Sequence, residues 1–342
     1  MDTKSLLWLP KEKELLTEKR VAGDEVIARR LRPQTWDEYV GHEQEKLLLV
    51  GDGKRRGLLT AAKDRDEVAD HILLSGPAGL GKTAMSTLIQ RELGYGKQLP
   101  SGMSPAMMQS SITSLHPRDV IFIDEIHSLK PSAMESVQIG MEGGVVAFNR
   151  FAPPFTLIGA TTRFGKLPLT LRDRFGLVLH LNYYSEEEIV RIGRRSAEKL
   201  DMELRPASAE EIAVRSRGVP RIANRLLKRV RDVTDSPTPR QTVRIMAELG
   251  VDSWGMDEGD RTVLMLLYRR FQGGPVGVRT LAAAAGHEER TLVEAFEPDW
   301  LRKAVIDVTD RGRQLTVKGY VYCQHVAERR LKFDDFGNVA IA

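Results

Sequence analysis

The stretch Gly76-Pro77-Ala78-Gly79-Leu80-Gly81-Lys82-Thr83 constrains this chain more than any other. It satisfies the phosphate-binding pattern G-x-x-x-x-G-K-[ST] in the context the pattern needs, after a short apolar run, His71-Ile-Leu-Leu-Ser75, and at the start of a helical period. A strand that enters a glycine turn and leaves as a helix aims the first backbone N–H groups of that helix at an anion. Gly76, Pro77, Gly79 and Gly81 form the cradle. Lys82 brings charge to the β and γ oxygens, and Thr83 offers its hydroxyl to magnesium. The implied ligands are ATP and Mg2+.

From Val68 onward, short apolar runs, glycine turns and helical periods alternate, the pattern of a parallel α/β sheet. Val120-Ile-Phe-Ile-Asp124, Phe155-Thr-Leu-Ile-Gly159 and Leu177-Val-Leu-His-Leu181 read as further buried strands. Asp124 and Glu125 end the first of these, which places two carboxylates at the strand edge where such sheets hold ligands. Asp124 is expected to hold the hydrated metal and Glu125 to act as general base on the attacking water. Gly159-Ala-Thr161-Thr162-Arg163 brings hydroxyls to the same edge. Leu171-Arg172-Asp173-Arg174-Phe175 is an ordinary surface ion pair when read alone; beside this loop, Arg174 is the candidate arginine finger for a neighbouring subunit. After Leu181, Ser185 to Leu200, Ala207 to Ser216 and Arg221 to Val233 carry helical spacing, with Ser185 and Glu188 set as a capping box. Gly218-Val-Pro-Arg221 opens one of these helices, and Arg221 can reach a nucleotide from there. The run from Arg215 to Asp232 holds seven basic residues and one acid and reads as a nucleotide-side and solvent face.

Composition removes other classes. Of 342 residues, 42% are hydrophobic and 29% charged, and no apolar run reaches the 18 residues of a membrane span. The formal charge of +4 permits a polyanionic partner without requiring one. Cys323 is the only cysteine, so neither an intrachain disulfide nor a structural zinc site is expected, and a reducing, cytoplasmic setting fits. Residues 1–20 read as a solvated leader, 21–182 as a large nucleotide-binding domain, 183–254 as a small helical domain, 255–330 as a compact unit with a hairpin near Gly312, and 331–342 as a tail.

In this order, the blocks resemble those of the AAA+ ATPases and, among them, the RuvB family of motors that drive Holliday-junction branch migration. Leu31-Arg32-Pro33 and Tyr39-Val40-Gly41 are similar to that family's adenine-binding segment. The resemblance implies a P-loop AAA+ sheet domain followed by a helical lid and a C-terminal winged helix. Lys82 and Thr83 would then bind nucleotide and metal, Asp124 and Glu125 would form Walker B, Thr161 would lie in sensor 1, Arg174 would be the finger and Arg221 sensor 2. It further implies a homohexameric ring on DNA, as a four-way junction or its duplex arms. Gly273-Gly-Pro-Val-Gly277 and Leu281-Ala-Ala-Ala-Ala-Gly286 look like the winged helix, with Arg311 and Arg313 at the wing as DNA contacts. Arginines on a glycine turn approach backbone phosphates without reading bases.

The chain departs from the family pattern in two internal stretches and in the segments Met1 to Arg20 and Leu331 to Ala342, which match no part of that pattern. Only 12 residues separate Glu142 from Phe155, where the family carries a longer hairpin that docks on its partner RuvA. Pro153 and Pro154 cannot donate to a ladder, so a long hairpin is not expected and a RuvA-type partner is doubtful. The segment Gly94 to Ser114, where the family has another strand, keeps Pro100-Ser-Gly102 but is rich in methionine and carries little strand signal. The leading expectation is an ATP-dependent DNA motor of branch-migration type. The alternatives are a clamp-loader or protein-remodelling ATPase, or a phage or mobile-element motor that acts without RuvA.

Overall fold

The computed structural model describes residues 26–94, 96–147 and 150–328. The expected leader (1–20) and tail (331–342) lie outside the described residues. Two compact units divide the chain, one ending at Tyr184 and the other beginning at Ser185.

The first unit is built on a five-stranded parallel sheet of β1 (Ile72–Ser75), β2 (Gly96–Leu99), β3 (Val120–Ile123), β6 (Thr156–Thr161) and β7 (Leu177–His180), in the order β2-β3-β6-β1-β7. β1, β3 and β6 are buried along their whole length, as runs that are apolar on both faces require. On one side, Leu73, Ile121, Ile123 and Leu157 pack with Met108 and Ile112 of α1 (Pro105–Thr113) and Val137 of α2 (Pro131–Met141). Register brings Ser75 opposite Thr161 and Ile123 opposite Gly159, so β1 and β6 end together and β3 ends beside them, where Asp124 and Glu125 follow.

β2 corrects the sequence reading. Lys97 and Gln98 are exposed on this edge strand and only Leu99 is buried, so it pairs with β3 without an apolar run to announce it. Between α2 and β6, β4 (Val145–Ala147) pairs antiparallel with β5 (Arg150–Phe151), a hairpin as short as expected. Val145 and Phe151 are exposed on it. Phe148 lies outside the described residues.

The second unit begins with four helices, α3 (Glu186–Lys199), α4 (Pro206–Arg215), α5 (Pro220–Arg231) and α6 (Pro239–Glu248). Ser185 and Glu188 form the capping box read from the sequence, and proline occupies the first turn of α4, α5 and α6, where its missing N–H costs nothing. Asp235 to Pro239 breaks the helical pattern as expected, but α6 then packs back on α4 and α5. The rest is a winged helix: α7 (Glu258–Arg269), α8 (Val278–Ala285), α9 (Glu297–Arg302), the hairpin β8 (Ile306–Thr309) and β9 (Gly312–Leu315), and α10 (Val317–Ala327). Trp300, Leu264, Leu267 and Tyr322 fill its core together with Cys323, whose thiol is pushed up to about 12 by burial. Cys323 is packing material. No helix among the described residues is long and apolar enough to cross a membrane.

Candidate active site

The loop between β1 and the helix Lys82–Leu93 takes backbone conformations that side chains disfavour. Gly76, Gly79 and Gly81 have φ of +147°, +86° and +95°. A Cβ on Gly76 would sit 2.3 Å from the Leu181 carbonyl oxygen, so glycine is required there by space as well as by dihedral. Lys82 is buried, and its ammonium donates to the carbonyls of Gly76 (2.7 Å) and Pro77 (2.9 Å), placing one positive charge inside the cradle. The hydroxyl of Thr83 donates to Asp124 Oδ2 at 3.3 Å. A hydroxyl and a carboxylate adjoining at the foot of a phosphate cradle are hard oxygen donors that would suit Mg2+. No group of three or more His, Cys, Asp or Glu that could hold a metal occurs among the described residues.

Glu125 follows β3 in a left-handed conformation (φ 49°, ψ 49°), which turns its side chain across the strand ends. Its Oε2 accepts from the backbone N–H (3.1 Å) and the hydroxyl (2.9 Å) of Thr162, and lies 3.1 Å from His127 Nδ1. His127 Nδ1 is also 2.9 Å from Thr161 Oγ1, and Thr161 Oγ1 accepts from the N–H of Arg163 at 3.0 Å. Strand alternation separates the two threonines. Thr161, last in β6, is fully buried, whereas Thr162 is the hydroxyl that reaches Glu125. Both threonines of the expected Gly159–Arg163 segment thus stand at the strand ends, Thr161 against His127 and Thr162 against Glu125.

Leu31 and Tyr39 are buried, Val40 is half-buried and Arg32 is exposed. The hydroxyls of Tyr39 and Tyr184 lie 3.1 and 3.3 Å from where a Cβ on Gly81 would stand, and Tyr184 donates to the Leu80 carbonyl at 3.1 Å. Burial, with Tyr184 beside it, raises the Tyr39 phenol well above its ordinary pKa, so it stays neutral. Tyr184 escaped the sequence reading, although an aromatic pair directly before the Ser185 cap was a visible signal.

Arg174 sits just beyond the short helix Leu169–Arg172. Its guanidinium pairs with Glu142 at 2.6 Å and also donates to the Thr170 carbonyl. Arg172 is anchored separately, donating to the Leu167 carbonyl at 2.9 Å with its guanidinium 4.9 Å from the centre of the Phe164 ring. In the second unit, Arg221 is exposed in the first turn of α5. Arg311 is exposed on the turn between β8 and β9.

Residues 31–181 match the family model of the Holliday junction DNA helicase RuvB P-loop domain. Residues 184–257 match the RuvB AAA lid domain and 253–324 the RuvB C-terminal winged helix domain. The chain belongs to the RuvB family. It is 41% identical over 330 residues to the Holliday junction branch migration complex subunit RuvB of Lactobacillus delbrueckii subsp. bulgaricus, covering 90% of this chain and 96% of that protein. The RuvB of Kosmotoga olearia is 40% identical, with 90% and 94% covered. Among solved structures, the Thermotoga maritima RuvB Holliday junction branch migration motor superposes with a TM-score of 0.77 at 41% identity, over 86% of this chain and 98% of that one. The chain is thus an AAA+ P-loop ATPase of RuvB type.

Two further expectations change within this RuvB frame. Arg313 does not project from the wing: its guanidinium donates to both carboxylate oxygens of Glu297, at 2.7 and 3.1 Å. Those bonds tie β9 to α9 and leave Arg311 as the arginine at the tip. The basic run from Arg215 to Asp232 is only partly a solvent face, since Arg215 is buried against Glu211 and Arg217 turns inward to the aspartates around α7 and α9.

Proposed function

We propose that this RuvB-family chain is an ATP-driven motor that moves the branch point of a Holliday junction. The observation that carries this reading is the grouping of Lys82, Thr83, Asp124 and Glu125 at the ends of β1 and β3, in a chain with a RuvB-type winged helix. ATP lies with its phosphates on the loop Gly76–Thr83 and its base toward Leu31, Arg32, Tyr39, Val40 and Tyr184. Thr83 and Asp124 would hold Mg2+, which when bound neutralises the phosphate oxygens and fixes their geometry. Lys82 leaves its own loop carbonyls for the β and γ oxygens. Glu125, steered by Thr162, takes the proton of the attacking water, and Arg174 comes from the neighbouring copy to stabilise charge on the transferred phosphoryl group. Arg221 reads the nucleotide from the lid. A closed ring, such as the homohexamer, gives every finger a site.

Arg311 contacts DNA phosphates, and Arg313 sets the wing's position through Glu297. The short β4–β5 hairpin favours a motor that depends little on a RuvA-type partner: five strand residues leave Val145 and Phe151 as the described apolar anchors, and interface energy concentrates in such anchors. ATPase assays with four-way DNA, linear duplex and no DNA, run beside fluorescence measurement of junction dissociation, test the reading. Stimulation that is largest with four-way DNA, accompanied by junction dissociation, is expected. DNA-independent turnover would return the chain to the clamp-loader or protein-remodelling class.

A further inference from the structure

Arg217 lies four residues before Arg221, and its side chain enters the winged helix. Its backbone is left-handed (φ 57°), and Gly218 after it is also left-handed (φ 63°), a sharp reversal that aims the guanidinium away from α5. Nε donates to the Gly255 carbonyl at 2.8 Å and lies 3.6 Å from Asp299, while a terminal nitrogen bonds Asp260 and lies 3.4 Å from Asp257. These partners belong to three pieces of chain: the linker, the cap and first turn of α7, and α9.

The acceptors are themselves fixed. Asp260 is fully buried and also accepts from the Trp300 indole at 2.9 Å. Asp299 holds Arg302 and Lys303, both at 2.6 Å, and Lys303 donates on to the Trp254 carbonyl. Backbone packing closes the same seam, since a Cβ on Gly255 would lie 2.9 Å from the Arg215 carbonyl oxygen. A rotation of the lid against the winged helix would strip Arg217 from Asp260 and leave a buried carboxylate unpaired, the costly way to break such a pair. The left-handed backbone at Arg217, a costly conformation for a residue with a side chain, is held by these contacts, just before α5.

We propose that Arg217 is the positioning residue that locks the lid to the winged helix, so that motion set by the nucleotide at Arg221 reaches DNA without slack. This rests on the motor reading above, in which Arg221 senses nucleotide and the winged helix holds DNA.

The test uses the full chain with Arg217→Ala, Arg217→Lys, and the double change Arg217→Met with Asp260→Asn, which removes the pair without stranding a charge. Two readouts are taken: base pairs of junction moved per ATP hydrolysed, and the distance distribution between spin labels on Glu210→Cys in the lid and Glu289→Cys in the winged helix. The expected result for Arg217→Ala is ATP affinity and DNA-free hydrolysis within twofold of the parent, at least a tenfold fall in base pairs moved per ATP, and a broadened label distance. Arg217→Lys should recover part of both. Should Arg217→Ala fail to fold, the double variant supplies the same comparison. Unchanged stepping per ATP with a narrow distance distribution in either folded variant overturns the lock, as does loss of DNA-free hydrolysis in a folded variant. If the parent protein moves no junction, the motor reading fails, and the label distances alone still decide whether Arg217 fixes the two domains.

Discussion

At the residue scale, the site devotes strain and hydrogen bonds to one carboxylate. A left-handed backbone at a non-glycine residue costs roughly 1–3 kcal/mol, and Glu125 carries that cost while Thr162 supplies two donors to its Oε2. This pairing makes sense if the carboxylate's aim matters more than local stability. Glu125→Gln keeps an oxygen that can accept from Thr162 but removes the proton acceptor. Turnover should fall by about 10² to 10⁴ with ATP affinity unchanged. Lys82→Ala should instead lose ATP binding itself, because the buried ammonium inside the loop is the charge the phosphates meet. Isothermal titration of ATP with single-turnover hydrolysis separates the two, and a Gln variant hydrolysing at the parent rate would move the general base elsewhere.

At the scale of elements, the wing and the central strand give separable outcomes. Gly312 (φ +126°) lets the turn press against Val276, and Arg313 then pairs with Glu297 rather than with solvent. Arg313→Ala should therefore lower the thermal midpoint of the winged helix, at the lower end of the roughly 3–5 kcal/mol seen when one member of a buried pair is removed, since Arg313 is partly exposed. Arg311→Ala should leave that midpoint alone and reduce the slope of log affinity for duplex DNA against log salt by ~0.9. A midpoint unchanged by Arg313→Ala would remove its anchoring role.

His71, at the entry to β1, accepts from the Leu157 N–H at 3.0 Å through Nδ1 and faces the Met141 carbonyl through Nε2 at 3.3 Å. Burial lowers its pKa below 6.5. The folded state thus binds the proton less readily than the unfolded chain, so His71 contributes stability that is present above about pH 6.5 and is lost as pH falls toward the lowered folded pKa. Thermal midpoints from pH 8 to 5 should drop less for His71→Gln than for the parent, and parallel profiles would exclude His71 as the cause.

These elements also mark where the sequence was legible. Buried strands such as Val120–Ile123 announce themselves because both faces are apolar, and the phosphate loop because glycine, lysine and threonine each have one task there. β2 is an edge strand whose pairing is decided by its neighbour. The tasks of Arg313, Arg217 and Thr162 depend on partners 16, 43 and 37 residues away in sequence, a separation that no local pattern encodes.

At the scale of the whole molecule, the active site assembled within one copy lacks one component. Lys82, Thr83, Asp124 and Glu125 adjoin through strands of the same sheet, but Arg174 spends its guanidinium on Glu142 and the Thr170 carbonyl. If its role is to stabilise a neighbour's transition state, then Arg174→Ala should bind ATP normally and hydrolyse it about 10³- to 10⁵-fold more slowly. Lys82→Ala should be equally inactive for the opposite reason, since its finger is intact and its own loop cannot hold ATP. In rings mixed at equal amounts, about one interface in four pairs the intact loop of an Arg174→Ala copy with the intact finger of a Lys82→Ala copy, so hydrolysis should return toward a quarter of the parent rate. Native mass spectrometry establishes that both chains share a ring, and phosphate release reads the rate. Mixed rings that stay as inactive as either parent variant would place Arg174 in its own subunit's site, and the glutamate that pairs with it would then be part of that same site.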